Sequence, residues 1–275
     1  MITIDELRIY PIKSCRGIRI PDSTVEPEGL ALDRRWMIVD NSGLFVSQRR
    51  VPRMACISVD LRRNGAGHID GLTAGWQTAQ GLTETLDIAL DPPQARGAPV
   101  TVWDDGVEAM EYPDAVNEAF SRWLGIPCRL VKMARPESRL RHLKIPGRPH
   151  PVSFADGAPV LLASTATLAA LARHHGKALS LLRFRPNIIV SGASAFAEES
   201  WRGIRCGSFT FDGVYPCRRC IMIEINPDAG VRDETVLRSL QNARTNDLAK
   251  GVYFGVNLVP SSPGTLSEGD GLEVY

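Results

Sequence analysis

The sequence predicts a mainly β protein with peripheral helices, of the α+β class, arranged as two β-barrel-like domains. Two observations carry this. Short apolar or β-branched runs recur through both halves of the chain, and helical spacing is confined to a few segments between them. With 275 residues and 44% hydrophobic content, the chain can bury one large core or two modest ones.

The opening "ITIDELRIYPI" alternates as a half-buried strand. "RWMIVD", "FVSQR" and "ACISVDL" are short β-rich runs. Between the first two, "DNSGLFV" reads as a hairpin turn, with Gly43 free to take a positive φ. "APVTVWDDGVEAMEY" reads as two strands around Asp104, Asp105 and Gly106. In "PDAVNEAFSRWLG" the period changes. Val116, Ala119, Phe120, Trp123 and Leu124 recur at helical spacing, and Gly125 supplies a stop. "ARPESRLRHLKIPGRPHPVSFADGAP" is basic and contains Arg135, Arg139, Arg141, Lys144 and Arg148. It reads either as a solvated connection between domains or as a loop that covers an anionic ligand. "STATLAALARHHG" is a helix with Ser164 as N-cap and Gly176 as stop. "NIIVSG", "SFTFDGV", "CIMIEIN" and "LEVY" read as strands, and "DETVLRSLQNAR" as a further helix. No low-complexity segment or short repeat occurs.

A formal net charge of +1 offers no bulk attraction for nucleic acid. No apolar run approaches the ~20 residues of a membrane helix. The first residues lack the basic start and apolar middle of a signal peptide. A cytoplasmic, reducing location is therefore expected, in which six scattered cysteines stay unpaired. Cys15, Cys56, Cys128 and Cys206 are isolated and are expected to be small buried apolar residues.

Cys217 and Cys220 form the one local pair, in "VYPCRRCIMIEINPDAG" (residues 214–230). A closed structural zinc site needs four ligands. There is no second C-x-x-C, and none of the five histidines has finger spacing. His174 and His175 are adjacent within a helix and point in different directions. A thioredoxin-like dithiol sits at a helix start, whereas this pair precedes an alternating strand pattern. Two cysteines packed in a turn are the plain alternative. Arg218 and Arg219 argue otherwise, because strong cations and soft thiolates in one turn suit a soft metal centre attached to an anionic organic group. "YPIKSCRG" leaves a strand with Lys13 and Ser14, "LDRRW" places Arg34 and Arg35 before one, and "LRFRPNIIVSG" places Arg185 and Asn187 at the mouth of another. Such groups can converge on phosphate and the edge of a heterocycle, while each taken alone reads as a surface charge beside a strand.

Five segments, "YPIKSCRG", "ALDRRWMIVD", "RFRPNIIVSG", "FAEESWRG" and "CRRCIMIEINPDAG", occur in the order expected of a MOSC-domain protein. From about Ile4 to its C-terminus the chain resembles the long MOSC proteins, the YcbX-type proteins and the mitochondrial amidoxime-reducing component. The resemblance implies a MOSC N-terminal β-barrel domain over residues 1–133 and a MOSC domain over residues 134–275. It implies a molybdenum-molybdopterin cofactor, with Cys220 as the catalytic, metal-binding cysteine. Cofactor contacts are implied for Lys13, Ser14, Arg34, Ser164, Thr167, Arg185, Asn187, Arg218, Arg219 and Asn257, with Cys217 as a neighbour.

The implied activity is the reduction of small N-hydroxylated substrates: amidoximes, hydroxylamines and N-hydroxylated bases. Two electrons and two protons convert N–OH to N–H and water. The alternative is a cofactor carrier or sulfur-handling module, because MOSC domains also occur in cofactor sulfurases. The C-x4-C-x2-C pattern of a plant-type ferredoxin domain and the membrane anchor of the mitochondrial relatives are missing from the sequence. A separate electron donor of ferredoxin, flavoprotein or cytochrome type is therefore expected, with no nucleic-acid or membrane partner.

Overall fold

The alternating start of the chain forms the strand Ile2–Ile9, whose partners lie at the far end of the sequence. It runs antiparallel to Ile188–Ser191 on one side, with Leu7 opposite Ile188, and to Gly271–Val274 on the other, with Ile2 opposite Leu272. In the computed structural model, which describes residues 1–78, 80–143, 149–232, 235–243 and 251–275, this strand closes a barrel. Its order is Ile188–Ser191, Val160–Ser164, Tyr253–Pro260, Phe209–Arg218, Gly203–Cys206, Gly271–Val274, Ile2–Ile9, and back to Ile188–Ser191. One pair, Val160–Ser164 with Ile188–Ser191, is parallel, and a helix α2 (Thr165–His175) lies in the connection such a pair requires. In space, the first strand thus crosses the sequence boundary expected between residues 133 and 134.

The barrel interior is apolar. Leu7, Leu162, Ile188, Val190, Phe211, Val256 and Leu258 share one buried cluster. Most other strands of the N-terminal half form a four-stranded sheet (Trp36–Val39, Arg129–Met133, Asp105–Glu111, Arg96–Val102) and a three-stranded sheet (Ser58–Arg63, Ile69–Gln77, Thr83–Ala89), while Ile18–Ile20 pairs with the first strand and Asp22–Glu26 joins Gly29–Leu30 and Gly264–Ser267. Helix α1 (Asp114–Leu124) buries the predicted face, including Phe120 and Trp123, against Trp36 and Leu72. Trp36 Nε1 donates to the Tyr112 hydroxyl at 2.8 Å, and that hydroxyl donates to the Ala89 carbonyl at 2.7 Å, so the buried polar atoms are satisfied. Gly125 and Gly176 end α1 and α2 at φ 69° and 76°, left-handed conformations in which glycine carries no Cβ penalty. A third helix, α3 (Val236–Ala243), covers Leu171, Phe184 and Phe254.

Two strand expectations are corrected. "CIMIEIN" is not a strand. Residues Ile221–Glu224 form a 3-10 turn that buries Ile223 with Phe184, Leu240 and Phe254. The preceding strand, Phe209–Arg218, loses its partner where Arg218 faces Tyr253, the first residue of the neighbouring strand, and the chain beyond it turns away and buries its apolar side chains against α3. "FVSQR" is not a strand beyond an isolated bridge at Phe45. The chain turns at Ser47, where Arg50 N and Val51 N both donate to the Ser47 carbonyl, and Gln48 Nε2 donates to the Ser14 carbonyl at 2.7 Å.

All six cysteines are free. Cys15 and Cys128 are buried as expected, and burial pushes the Cys15 thiol up to about 12. Cys56 and Cys206 are only half-buried, so they lie at the margin of the core and not inside it.

Because the first strand is a barrel stave, its core side chain should matter as much as one from the C-terminal half. Leu7→Ala and Leu162→Ala are each expected to cost about 3 kcal/mol. Urea unfolding should show a single transition for each variant, and an early separate transition in Leu7→Ala would contradict barrel closure by this strand.

Candidate cofactor cleft

A cleft of about 600 Å³ opens where the barrel meets the N-terminal sheet. Eight cationic side chains border it: Lys13, Arg34, Arg49, Arg141, Arg183, Arg185, Arg218 and Arg219. Among the described residues only two carboxylates do, Asp104 and Asp156. The excess of positive charge, together with two thiols, defines an environment for an anion that carries a soft metal.

One wall grows out of the first strand. After Ile9 the chain bridges to Trp36, with Lys13 N donating to the Trp36 carbonyl at 2.7 Å. Ser14 takes φ 69°, which turns the chain back and leaves Lys13 and Ser14 at the cleft. Lys13 Nζ donates to the Phe154 carbonyl at 2.7 Å and forms an ion pair with Asp156. Burial pushes the Lys13 amine below its free value, and Asp156 only partly offsets this. For Asp156, enclosure by the cleft walls opposes ionisation. The Lys13 charge, with hydrogen bonds from Lys13 and Trp103, outweighs it and holds the carboxyl well below the usual range.

The second wall is a stack of cations on an aromatic ring. Arg34 lies 4.7 Å and Arg185 4.2 Å from the Tyr10 ring centroid. Arg34 donates to Asp33, to Asn187 Oδ1 at 3.0 Å and to the Arg185 carbonyl at 3.1 Å. Burial disfavours its charge, but the Asp33 carboxylate more than restores it. Arg185 lacks such a partner. Burial and then the neighbouring Arg34 bring it down to about 10, so it stays charged at neutral pH at a cost that a bound anion would remove. Its Nη2 is buried with no partner, as is Arg219 Nε. Asn187 is fully engaged. Its Oδ1 accepts from Arg34 and from Leu161 N, and its Nδ2 donates to the Arg8 carbonyl. It therefore orients Arg34 and ties three segments together, although it borders the cleft.

The third wall is the end of the strand Phe209–Arg218 and the turn after it. Arg219 Nη1 donates to Cys217 Sγ at 3.0 Å, and its Nη2 donates to the Phe184 carbonyl at 2.7 Å. Cys220 is exposed, and Arg49 Nη2 donates to its sulfur at 3.1 Å. Tyr215 lines the same wall. Burial, reinforced by Cys217, pushes its hydroxyl up to about 12.

Of the predicted contacts, Lys13, Ser14, Arg34, Arg185, Asn187, Arg218, Arg219, Cys220 and Asn257 border this one cleft. Ser164 and Thr167 do not. Ser164 is buried at the start of α2, where its hydroxyl makes no capping bond. Thr167 Oγ1 donates to Glu198 at 2.9 Å and accepts from Phe196 N at 2.8 Å, which anchors the 196–198 turn. Arg35 points away, into an ion pair with Glu26 and Glu28. Arg139 is buried and holds the 153–155 segment through two carbonyls while pairing with Asp105. Arg141, His142 and Leu143 reach the cleft rim, whereas Lys144 and Arg148 lie outside the described residues. Sequence reasoning missed Arg49, Trp103, Asp156, Arg183 and Tyr215. Trp103 alone carried a signal, as a large aromatic residue in a hairpin turn.

Among the described residues, no group of three or more His, Cys, Asp and Glu is placed to hold a metal. A metal at Cys220 would thus take most of its ligands from a cofactor. One soft sulfur, buried arginines and two orphaned guanidinium nitrogens fit a metal-bearing anionic cofactor such as molybdopterin. No helix of the described residues is long and apolar enough to cross a membrane.

Fold and cleft thus define a β-barrel protein with a cation-rich cleft at the barrel mouth that fits such a cofactor. The chain belongs to the MOSC family. Residues 1–127 match the MOSC N-terminal β-barrel domain and residues 149–273 the MOSC domain. Human mitochondrial amidoxime-reducing component 1 is 30% identical over 295 residues, covering 98% of this chain and 81% of that protein. Human molybdenum cofactor sulfurase is 32% identical over 288 residues, covering 97% of this chain and 31% of that protein. The zebrafish (Danio rerio) sulfurase is 30% identical over 269 residues, covering 92% of this chain and 32% of that protein. The chain thus spans about a third of the length of the sulfurases it matches.

Since Asp156 is held below its free value, its ionised form favours the fold. That contribution is complete above the ordinary aspartate pKa of about 3.9 and is lost as pH falls below it. Its side chain is 54% exposed, so solvent screens the pair. Asp156→Asn is expected to lower stability by about 1 kcal/mol at neutral pH. The wild-type advantage should shrink in urea titrations at about pH 3, and an equal difference at both pH values would remove the ion pair as its cause.

Proposed function

We propose that this protein is a molybdenum-cofactor-dependent reductase of small N-hydroxylated compounds, such as amidoximes and hydroxylamines, supplied with electrons by a separate donor protein. The observation that carries this reading is Cys220, an exposed thiol in a cleft whose charged residues are mainly cations. Bound there, the cofactor would supply a metal that exchanges two electrons with the substrate. The chain's own residues do the rest. Cys220 anchors the metal. Arg34 and Arg185, stacked on Tyr10, receive the phosphate-bearing part, and Lys13 adds charge at the opposite wall. Asn187 keeps Arg34 in place through its own amide. Tyr215 keeps its proton at Oη at neutral pH and offers a donor to a polar substrate atom in the cleft.

A second reading, a cofactor carrier or sulfur-handling module, is favoured by the sulfurase relatives, which align with nearly the whole chain. Protein made in a host that synthesises the cofactor separates the two. Near-stoichiometric molybdenum and pterin are expected, falling about tenfold or more in Cys220→Ser and little in Cys217→Ser. Wild-type protein free of both would exclude either reading. Loaded protein reduced by a dye should then turn over a simple amidoxime. Loading without turnover, with any donor tried, would assign the carrier role.

A further inference from the structure

The two cysteines of the C-R-R-C turn are served by arginines of different origin. Cys217 accepts from Arg219 of its own turn, while Cys220 accepts from Arg49, which is 171 positions away in the chain. Arg49 is not free to wander. It follows Gln48, whose amide is bound to the Ser14 carbonyl at 2.7 Å, within the turn closed onto Ser47. Its guanidinium lies 4.6 Å from the Trp103 ring centroid. Trp103 Nε1 in turn donates to Asp156 at 3.0 Å, and Asp156 pairs with Lys13. The guanidinium therefore lies over an indole ring that Asp156 and Lys13 anchor in turn, with one N–H directed at the Cys220 sulfur.

We propose that Arg49 is a positioning residue that sets the orientation of the Cys220 sulfur and raises the reduction potential of a metal bound through it. The proposal rests on Cys220 being the metal ligand. The physical cause is charge. Each electron added to a metal–thiolate unit makes it more negative, and a cationic N–H donor at the sulfur favours that state over the oxidised one. Hydrogen bonds to ligating sulfurs and nearby charge set potentials in this way in other metal–thiolate centres. The donor comes from the N-terminal half and the ligand from the C-terminal half, so the metal's potential depends on how the two halves meet.

The test uses full-length protein loaded in a cofactor-synthesising host, as Arg49→Met, Arg49→Lys and Cys220→Ser variants beside the wild type. Molybdenum content is measured first, and the midpoint potential of the metal then comes from a redox titration followed by electron paramagnetic resonance. Arg49→Met is expected to keep molybdenum and to show a lower potential. The expected shift is roughly tenfold in the one-electron equilibrium, about 59 mV. Arg49→Lys keeps the charge without the planar fork and should fall between. If Cys220→Ser loses molybdenum while Arg49→Met and Arg49→Lys keep the wild-type potential, the Arg49 proposal is wrong and the ligand assignment stands. If Cys220→Ser keeps its molybdenum, the ligand assignment fails and the Arg49 proposal falls with it. Should Arg49→Met not load, Arg49→Lys decides alone, by a lowered or an unchanged potential.

Discussion

The pairing of strand Ile2–Ile9 with Ile188–Ser191 is the constraint on which the rest of the molecule depends. It closes the barrel, and it also delivers the residues after Ile9 to the mouth of that barrel. At the end of this pairing, Asn187 reinforces it with main chain and side chain together. Its carbonyl accepts from Arg8 N at 2.8 Å, its N–H donates to the Leu161 carbonyl at 2.7 Å, and its side-chain amide binds Arg8, Leu161 and Arg34. A buried amide with every group engaged is costly to disturb, because each lost partner leaves a polar atom stranded. Lys13, Ser14, Arg34, Arg185 and Asn187 share one cleft because this junction places three chain segments side by side.

The cleft is built at electrostatic expense. Arg34 and Arg185 flank one tyrosine ring, with Asp33 as the carboxylate that Arg34 engages. A second buried guanidinium without its own counter-ion is destabilising in a low dielectric and is tolerated where a ligand completes the set. The same logic explains why Lys13 is engaged by Asp156 and the Phe154 carbonyl, whereas Arg185 retains an unpartnered nitrogen. The surplus charge is a reason for an anionic cofactor to bind and to stay bound.

The turn that carries Cys217 and Cys220 illustrates how a closed barrel shapes a site. The pairing of its strand with Tyr253–Pro260 ends where Arg218 faces Tyr253, so the chain has no barrel partner to follow much beyond Arg218. It folds into a 3-10 turn whose Ile223 is clamped in the small core under α3. Cys220 sits at the start of that turn, fixed by the burial of Ile223 three residues further on. The result is an asymmetric pair, with Cys217 held within its own turn by Arg219 and Cys220 presented to the cleft and to Arg49.

Local features of this protein were legible in the sequence because their causes are local. The helical period of α1, the glycines that end α1 and α2, and the Asp40 to Leu44 hairpin follow from side-chain spacing and from positive φ. The order of the "YPIKSC", "DRRW", "RPN" and "CRRC" segments also sufficed to mark several of the cations and both cysteines that border the cleft. Tertiary structure decided what depended on distant partners. An alternating run such as "IMIEIN" has the same pattern whether it pairs in a sheet or buries alternate side chains from a turn, and only the end of the partner strand opposite Arg218 settles it. Ser164, at the end of a barrel stave, and Thr167, in the first turn of α2, are fully buried away from the cleft, and Thr167 bonds the 196–198 turn instead. Arg49 and Asp156 stand in ordinary stretches of sequence, and Trp103 is marked only as an aromatic residue in a hairpin turn. They become a wall of the site because the first strand, paired with residues near the other end of the chain, draws their segments together.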